Sequence, residues 1–419
     1  MSRSDIRRAA LCVATAATAM LVALPALAQD VTVTFWGSYG NGGNSTQQDA
    51  LNNTLIPAFE AAHPGVRVQY VDVPYDSLLQ KLTTSAAGGE LPDLVRADLG
   101  WVPQFADLGV LVPLSDVMED FQQLADATYP GVLATNLYKG KYYGLPLDTN
   151  TRVLVTSQEA LDAAGLSAPP ATFDELKAMA AALEGSGISV FADGGLGGWN
   201  IFPWLWSGGG EITDPDLTKA SGYLDSAENV ATVQMLVDLY QAGQIPNLII
   251  GNQGATGTSD GLPSLEYATI LDGPWMAGIW GEQYPDFTPI YAPVPAGPGG
   301  SISVVGGEDI VMTIGAENQE AALEFIRFTQ SEDFQIEMAK TGQMVVIPAF
   351  AAKQAEVSPF FAPFSEQLVT AKSRLAIAAG SQVDGILNGA LVPAFEGEVS
   401  VQDALTSAAV QIDALLAAE

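Results

Sequence analysis

The sequence has almost no cysteine, almost no histidine and little positive charge, and each shortage removes a class of chemistry. Its single cysteine, Cys12, lies inside an apolar run near the amino terminus. A disulfide framework, a cysteine-zinc site and thiol catalysis are therefore excluded for the rest of the chain. Its single histidine, His63, precedes Pro64-Gly65 and reads as a surface turn at a helix end. A Ser-His-Asp triad or a histidine-rich metal centre has nothing to build from. Sixteen Lys and Arg face 48 Asp and Glu, a formal charge of −32. So acidic a chain lacks the basic face that nucleic acid or an anionic membrane surface requires, and a multiply anionic ligand is disfavoured for the same reason. After the first 28 residues no apolar run approaches the ~20 residues of a membrane span. There is no fixed-period repeat and no EF-hand spacing, and neither a metal nor a cofactor is expected.

What is present begins with an export signal. Arg3, Arg7 and Arg8 form a basic start, residues 9–24 an apolar stretch, and Ala26-Leu27-Ala28 a small-x-small cleavage site. Residues 1–28 are read as a cleavable signal peptide, with Gln29 the first mature residue and a periplasmic destination. Cys12 follows Leu11 within the apolar stretch, so no lipoprotein site is read there. Loss of Arg3, Arg7, Arg8 and Asp5 leaves 13 basic and 47 acidic residues and moves the charge from −32 to −34. Only Arg67, Arg96, Arg152, Arg327 and Arg374 remain as arginines. The mature length suggests two domains or lobes.

Along the chain, residues 30–36 alternate apolar and polar and predict a strand running into the polar glycine loop 37–45. The spacing of Leu51, Leu55 and Phe59 predicts one helix over 47–63. Strands over 66–73 and 93–97 enclose a helix over 77–87. This strand–helix alternation predicts an α/β fold with a mainly parallel sheet, whose ligands bind past the carboxyl ends of the strands. The residues there include Trp36, Tyr39, Tyr75, Asp76, Asp98 and Trp101. The chain passes from one α/β pattern to another between Pro146 and Asn150, through Asp148. Thr172 and Glu175 then form a capping box. A helix over 227–242 and a strand over 266–271 follow, the latter ending in Asp272-Gly273-Pro274-Trp275. Residues 301–315 read as strand, turn, strand, residues 316–340 as helical, and 401–418 as a closing helix.

The stretch GGLGGWNIFPWLWSGGG, residues 194–210, places Trp199, Phe202, Trp204 and Trp206 among seven glycines. Glycine lets the backbone approach a ligand closely. Tryptophan offers a rigid apolar face with one N–H at its edge. Together they suit a flat ligand that is apolar on its faces and polar round its rim, as a pyranose is. The plain alternative is a buried aromatic helix. For a sugar, Trp36, Tyr39, Trp101, Trp199 and Trp275 would supply faces. Ser38, Asn41, Asp76, Asp98, Asp148, Asn150, Asn200 and Glu308 would meet hydroxyls, since an unpaired buried hydroxyl costs about 1–3 kcal/mol. Trp280 reads as core. Asp98, Asp148, Asp272, Glu308 and Asp309 could also pair as glycosidase carboxylates, but so acidic a chain places carboxylates near any cleft, and binding is preferred.

Taken in order, FWGSYG after a signal peptide, IPAFEAAHPGVRVQYVDVPYDSLLQKL, ELPDLVRADLGWVPQFADLGVLVPL, GKYYGLPLDTNTRVL, ALDAAGL with PPATFDELKAMA, ILDGPWM, GGEDIVM and AALEFIRFTQSEDFQIEMAKTGQMVV span nearly the whole mature chain. The ordered set resembles the extracellular solute-binding proteins of bacterial sugar ABC transporters, the family that includes maltose-binding protein. The resemblance implies a two-lobed type II periplasmic-binding-protein fold with hinge strands between the lobes. It implies one lobe of residues 29–147 plus 303–346 and another of 148–302 plus 347–419. It also implies a monomeric receptor, not an enzyme, that captures a sugar or oligosaccharide by lobe closure and delivers it to an ABC permease. Trp275 falls where maltose-binding protein stacks a tryptophan on sugar, and Gly198-Trp199-Asn200 near the family's second aromatic cluster. Trp101 stands where the family member has an arginine, and Asn150 near a ligand-binding carboxylate. The third family aromatic has no counterpart around Ala379-Gly380-Ser381. Relatives that carry glycerol phosphate or polyamine leave a non-sugar solute as the alternative, and ligand charge would separate the two.

Overall fold

The structure is a computed structural model that describes residues 31–40, 45–251 and 257–418. The expected signal peptide, Gln29 and Asn41 lie outside the described residues. Nine strands build the two larger sheets: β1 Val31–Gly37, β2 Val66–Asp72, β3 Leu94–Asp98, β4 Gly144–Thr151, β5 Val153–Ser157, β6 Ser189–Ala192, β7 Tyr267–Asp272, β8 Pro289–Ala292 and β9 Val305–Met312.

The five-stranded sheet runs β2-β1-β3-β9-β4. Its first three strands are parallel, and β9 lies antiparallel between β3 and β4. The four-stranded sheet runs β8-β5-β7-β6, with only β7 and β6 parallel. Apolar residues cover both faces of each sheet. In β3, Leu94 enters one core with Phe35, Leu145 and Ile310, while Val95 and Ala97 enter another with Leu78, Val102 and Phe105. In β5, Leu154 packs with Phe191, Trp204 and Leu236 on one face, and Val153 and Val155 with Ile270, Met276 and Trp280 on the other. Burial on both faces explains why β5 opens on the unbroken apolar run Val153-Leu154-Val155.

The chain passes between the sheets at Arg152, near Ser303, and again after Met344, which pairs with Thr149 before Phe361 and Phe364 join the core of the smaller sheet. The first two passages touch: Ser303 Oγ donates to the Arg152 carbonyl at 2.7 Å and Thr151 Oγ1 to the Val304 carbonyl at 2.8 Å.

Three expectations are corrected. The helix over 47–63 is three pieces, with a π-helical turn at Leu51–Leu55 between α-helical Ser45–Ala50 and Ile56–Ala62. Residues 301–315 hold one strand, β9, with no turn inside it. Gly306 and Gly307 sit inside it, beside a bulge between Glu308 and Asp309. Gly307 has φ 131°, and a Cβ there would come within 2.4 Å of the Asp148 carbonyl. These glycines serve close backbone approach, not reversal. Residues 316–340 hold two helices, Gln319–Thr329 and Glu332–Ala339. They break where Ser331 Oγ accepts from Phe334 N–H as an N-cap. The Thr172 cap forms as read, accepting from Glu175 N–H at 3.2 Å, but the Glu175 carboxylate reaches Ala171 N–H instead of the cap residue's own.

Candidate ligand-binding site

The seam between the sheets is lined by charge. Strand register sets Glu308 of β9 opposite Asp98 of β3 on one side and Asp148 of β4 on the other. Three carboxylates in one cross-strand row repel one another, so the row needs cations. Arg96, two residues before Asp98 on the same face of β3, places Nη2 at 2.7 Å from Glu308 and 3.3 Å from Asp148. Its Nη1 donates to Ser38 Oγ at 3.0 Å. Burial opposes the charge on Arg96, but Glu308 and Asp148 outweigh it and raise its pKa. Burial and the neighbouring Asp148 push the Glu308 carboxyl well above the usual range, although Arg96 pulls it down.

Asp98 is held from three directions. Tyr75 Oη donates to it at 2.6 Å, Gly100 N–H at 2.7 Å and Arg374 Nη2 at 2.6 Å. The Tyr75 ring lies 5.4 Å from Trp101, which is buried at the start of helix Val102–Asp107. A cavity of about 110 Å³ opens beside this group, lined by Trp101, Phe202, Arg374, Ser381 and Asp384 among others.

The smaller sheet supplies the facing wall. Arg152, between β4 and β5, donates to both Asp193 oxygens at 2.9 Å, to the Trp199 carbonyl at 3.0 Å and to the Leu271 carbonyl. Asn200 Nδ2 donates to Asp193 at 2.5 Å. Above them the Trp199 and Trp275 rings stand 6.0 Å apart at 35°. Arg152 and Arg374 lie 5.6 and 5.7 Å from the Trp199 ring. Gly306 makes room: a Cβ there would come within 2.2 Å of Asn150 Oδ1 and 2.6 Å of the Trp199 indole. Gly273 does the same for Trp275, whose ring folds back to 1.8 Å from where a Cβ would stand. Asp272 accepts from Gly273 N–H, and burial raises its pKa to about 7.

Tyr75, Asp98, Trp101, Asp148, Asn150, Trp199, Asn200, Trp275 and Glu308 all line this seam or its immediate supports. Three other expected residues stand apart. Tyr39 is 0% exposed, packed against Phe35 and Tyr70 beneath Arg96, and offers no face to a ligand. Trp36 packs on the helix Tyr75–Gly88 side of β1, with Lys81 Nζ 4.0 Å over its ring. Asp76 is exposed in the first turn of that helix, where a carboxylate favours the helix dipole.

In the stretch 194–210, Phe202, Trp204 and Trp206 are buried, and Trp199 alone of its aromatics is partly open. Gly208 and Gly210 face Thr232 and Asn229, so they allow two helices to touch and do not cradle a ligand. Residue reading missed Arg96, Arg152, Arg374, Asp193 and Asp384. A signal existed for Arg96, which follows Leu94-Val95 and precedes Ala97 inside a buried strand, where a cation demands a partner. Among the described residues no group of three or more His, Cys, Asp or Glu is placed to hold a metal ion.

A profile of the bacterial extracellular solute-binding proteins matches residues 42–336. The chain belongs to that family. A binding protein of Brucella abortus is 27% identical over 378 residues, covering 86% of this chain and 88% of its own. An arabinooligosaccharide-binding protein of Halalkalibacterium halodurans is 25% identical over 273 residues, covering 61% of this chain and 58% of its own. Among solved structures, a cyclic α-maltosyl-1,6-maltose-binding protein from Arthrobacter globiformis has 26% identity and a TM-score of 0.76, covering 93% of this chain and 100% of the other. A solute-binding protein from Thermotoga lettingae bound to α-D-tagatose has 25% identity and a TM-score of 0.81, covering 92% and 100%. The two-lobed α/β architecture is that of the family, and an extracellular solute-binding protein works outside the cytoplasm.

Proposed function

We propose that this solute-binding protein captures a sugar or oligosaccharide between its lobes and delivers it to the permease of an ABC importer. One observation carries the reading: the paired Trp199 and Trp275 indoles stand over a seam of buried carboxylates and guanidiniums. Indole faces take the apolar faces of sugar rings, while carboxylates and arginines meet the hydroxyls as charge-assisted hydrogen bonds. The arabinooligosaccharide, maltosyl and tagatose ligands of the relatives support the same class.

The lobes are taken as expected, 29–147 plus 303–346 and 148–302 plus 347–419, except that the first boundary moves from 147/148 to Arg152, since β4 extends to Thr151. The chain is read as a periplasmic monomer that binds without catalysis, exported by a signal peptide cleaved after Ala28. Intact-mass measurement of the exported protein checks that end: it should begin at Gln29, and a lipid-bearing Cys12 would overturn the assignment. Ligand class is tested by a thermal-shift screen of neutral sugars against sugar phosphates. Neutral sugars should raise the melting temperature. Stabilisation by phosphates alone would overturn the proposal.

A further inference from the structure

The Asp98–Arg374 ion pair joins the two lobes. Asp98 ends β3 of the larger sheet. Arg374 comes from the segment before helix Gly380–Phe395, where Leu375 and Ile377 pack into the core of the smaller sheet with Leu154 and Phe202. The pair is 2.6 Å long and nearly buried, with the Arg374 side chain 16% and the Asp98 side chain 8% exposed. At the start of that helix, Ser381 Oγ donates to Gln104 Oε1 at 2.8 Å, a second bond across the seam. The acceptors of Asp98 are engaged by Tyr75, Gly100 and Arg374, so Asp98 is occupied by protein, not poised for a ligand hydroxyl.

Arg374 also has a second carboxylate within its field. Asp384, on its own lobe, acts on it electrostatically and accepts from Gly198 N–H at 2.6 Å, at the start of the helix that carries Trp199. When the lobes part, Arg374 loses Asp98 but keeps Asp384 and the Trp199 face. A buried charge stripped of its partner is destabilising, and Asp384 together with solvent relieves that cost. The pair can therefore form and break with the cleft.

We propose that Asp98 and Arg374 form a latch that holds the closed cleft, and that Arg374 is a positioning residue that ties closure to the placement of Trp199. This rests on the reading of the chain as a two-lobed capture receptor. Loss of one partner of a buried pair acts chiefly on dissociation, so the latch sets how long a captured sugar stays.

The test labels the full mature protein at Leu108→Cys and Val410→Cys, exposed positions on the two lobes of a chain whose only native cysteine is Cys12. Spin-label distances are read without ligand and with a sugar identified in the thermal-shift screen. Arg374→Gln should move the ligand-free distribution to longer separations and release sugar at least about tenfold faster. Asp98→Asn should do the same, and the double variant should be no worse than either single one. Arg374→Lys, which keeps the charge, should restore part of the effect. Unchanged distances, or additive effects in the double variant, would overturn the latch. The distance readout needs no sugar, so longer separations in variants of a protein that binds none would reject the sugar and keep the latch. If Asp98→Asn fails to fold because its amide keeps only one of the two oxygens that Tyr75 and Gly100 use, Arg374→Gln and Arg374→Lys alone decide.

Discussion

At the scale of single residues, Trp275 and Asp309 carry separate expectations. Trp275 is half-buried, packed at its base on the core around Met276 and Trp280 and facing Trp199 with its ring. If the indole covers a sugar face, Trp275→Ala should weaken binding by about 2–4 kcal/mol, roughly 30- to 1000-fold in Kd. Were it a packing residue only, the ligand-free protein would instead lose the ~3–5 kcal/mol of a truncated buried tryptophan. Calorimetric titration beside the ligand-free melting curve separates the two outcomes. Asp309 is 1% exposed and is met by Asn136 and Thr135, with no ion pair among the described residues. Burial pushes its carboxyl up to about 8, against the pull of bonds from Asn136 and Thr135. The folded pKa is raised above the unfolded value. This group therefore contributes stability that is full below pH ~4 and is lost as pH rises to about 8. Asp309→Asn keeps the shape and removes the titration. Its stability relative to the parent should rise across that window by up to about 1.4 kcal/mol per pH unit. Urea unfolding at several pH values measures it, and a difference independent of pH would show Asp309 to be ionised.

At the scale of elements, strands and helices with one clear period were legible, and departures came where glycine or charge carried a second meaning. Alternation at β1 and β2, the apolar run at β5 and the Thr172 cap were all readable locally. Gly306-Gly307 looked like a turn because the feature that needs them, the Trp199 indole and the Asp148 carbonyl lying against β9, comes from distant segments. The break at Gln330-Ser331 carried its own signal, a Ser followed by Glu332 and Asp333, overridden by the apolar periodicity on either side. In the site, Trp199, Trp275, Asp98 and Glu308 were legible as aromatic or acidic residues at element ends. Arg96, Arg152 and Arg374 were not, because their meaning lies in which acids meet them across sheets. Tyr39 was read as a face because it lies past the carboxyl end of β1, whereas Phe35, Tyr70 and Arg96 enclose it. Gly306 tests the element view directly. Gly306→Ala places a methyl against Asn150 and Trp199, so the indole must move. Sugar affinity should fall at least tenfold, about 1.4 kcal/mol, with a change in tryptophan emission of the ligand-free protein. Unchanged affinity and emission would mean that Trp199 is not held against β9.

At the scale of the whole molecule, charge and connection fit a clamp. The β4–β9 ladder and the bonds between Ser303 and Arg152 and between Thr151 and Val304 tie the passages to each other, so they can flex as one narrow hinge. Away from that hinge the lobes meet through side chains that can part: Arg374 with Asp98, Ser381 with Gln104, and Ser45 with Glu282 at 2.7 Å. At the Arg374 end opening exposes polar groups that water can satisfy, whereas Ala339, Met344 and Val345 pack into the core around Met276 and Trp280 and keep an apolar contact between the lobes beside the hinge. A sugar seated between Trp199, Trp275 and the carboxylate row would add contacts to both lobes only in the closed form. It therefore shifts the population toward closure by its differential affinity for the two forms. For about 390 mature residues a compact radius of gyration is roughly 21 Å, and small-angle scattering should show a decrease when saturating sugar is added. Arg374→Gln should start from a larger ligand-free radius and close on the same endpoint at higher sugar concentration. A radius unmoved by saturating sugar, in a protein shown by calorimetry to bind it, would mean that the site is preformed and that the lobes do not act as a clamp.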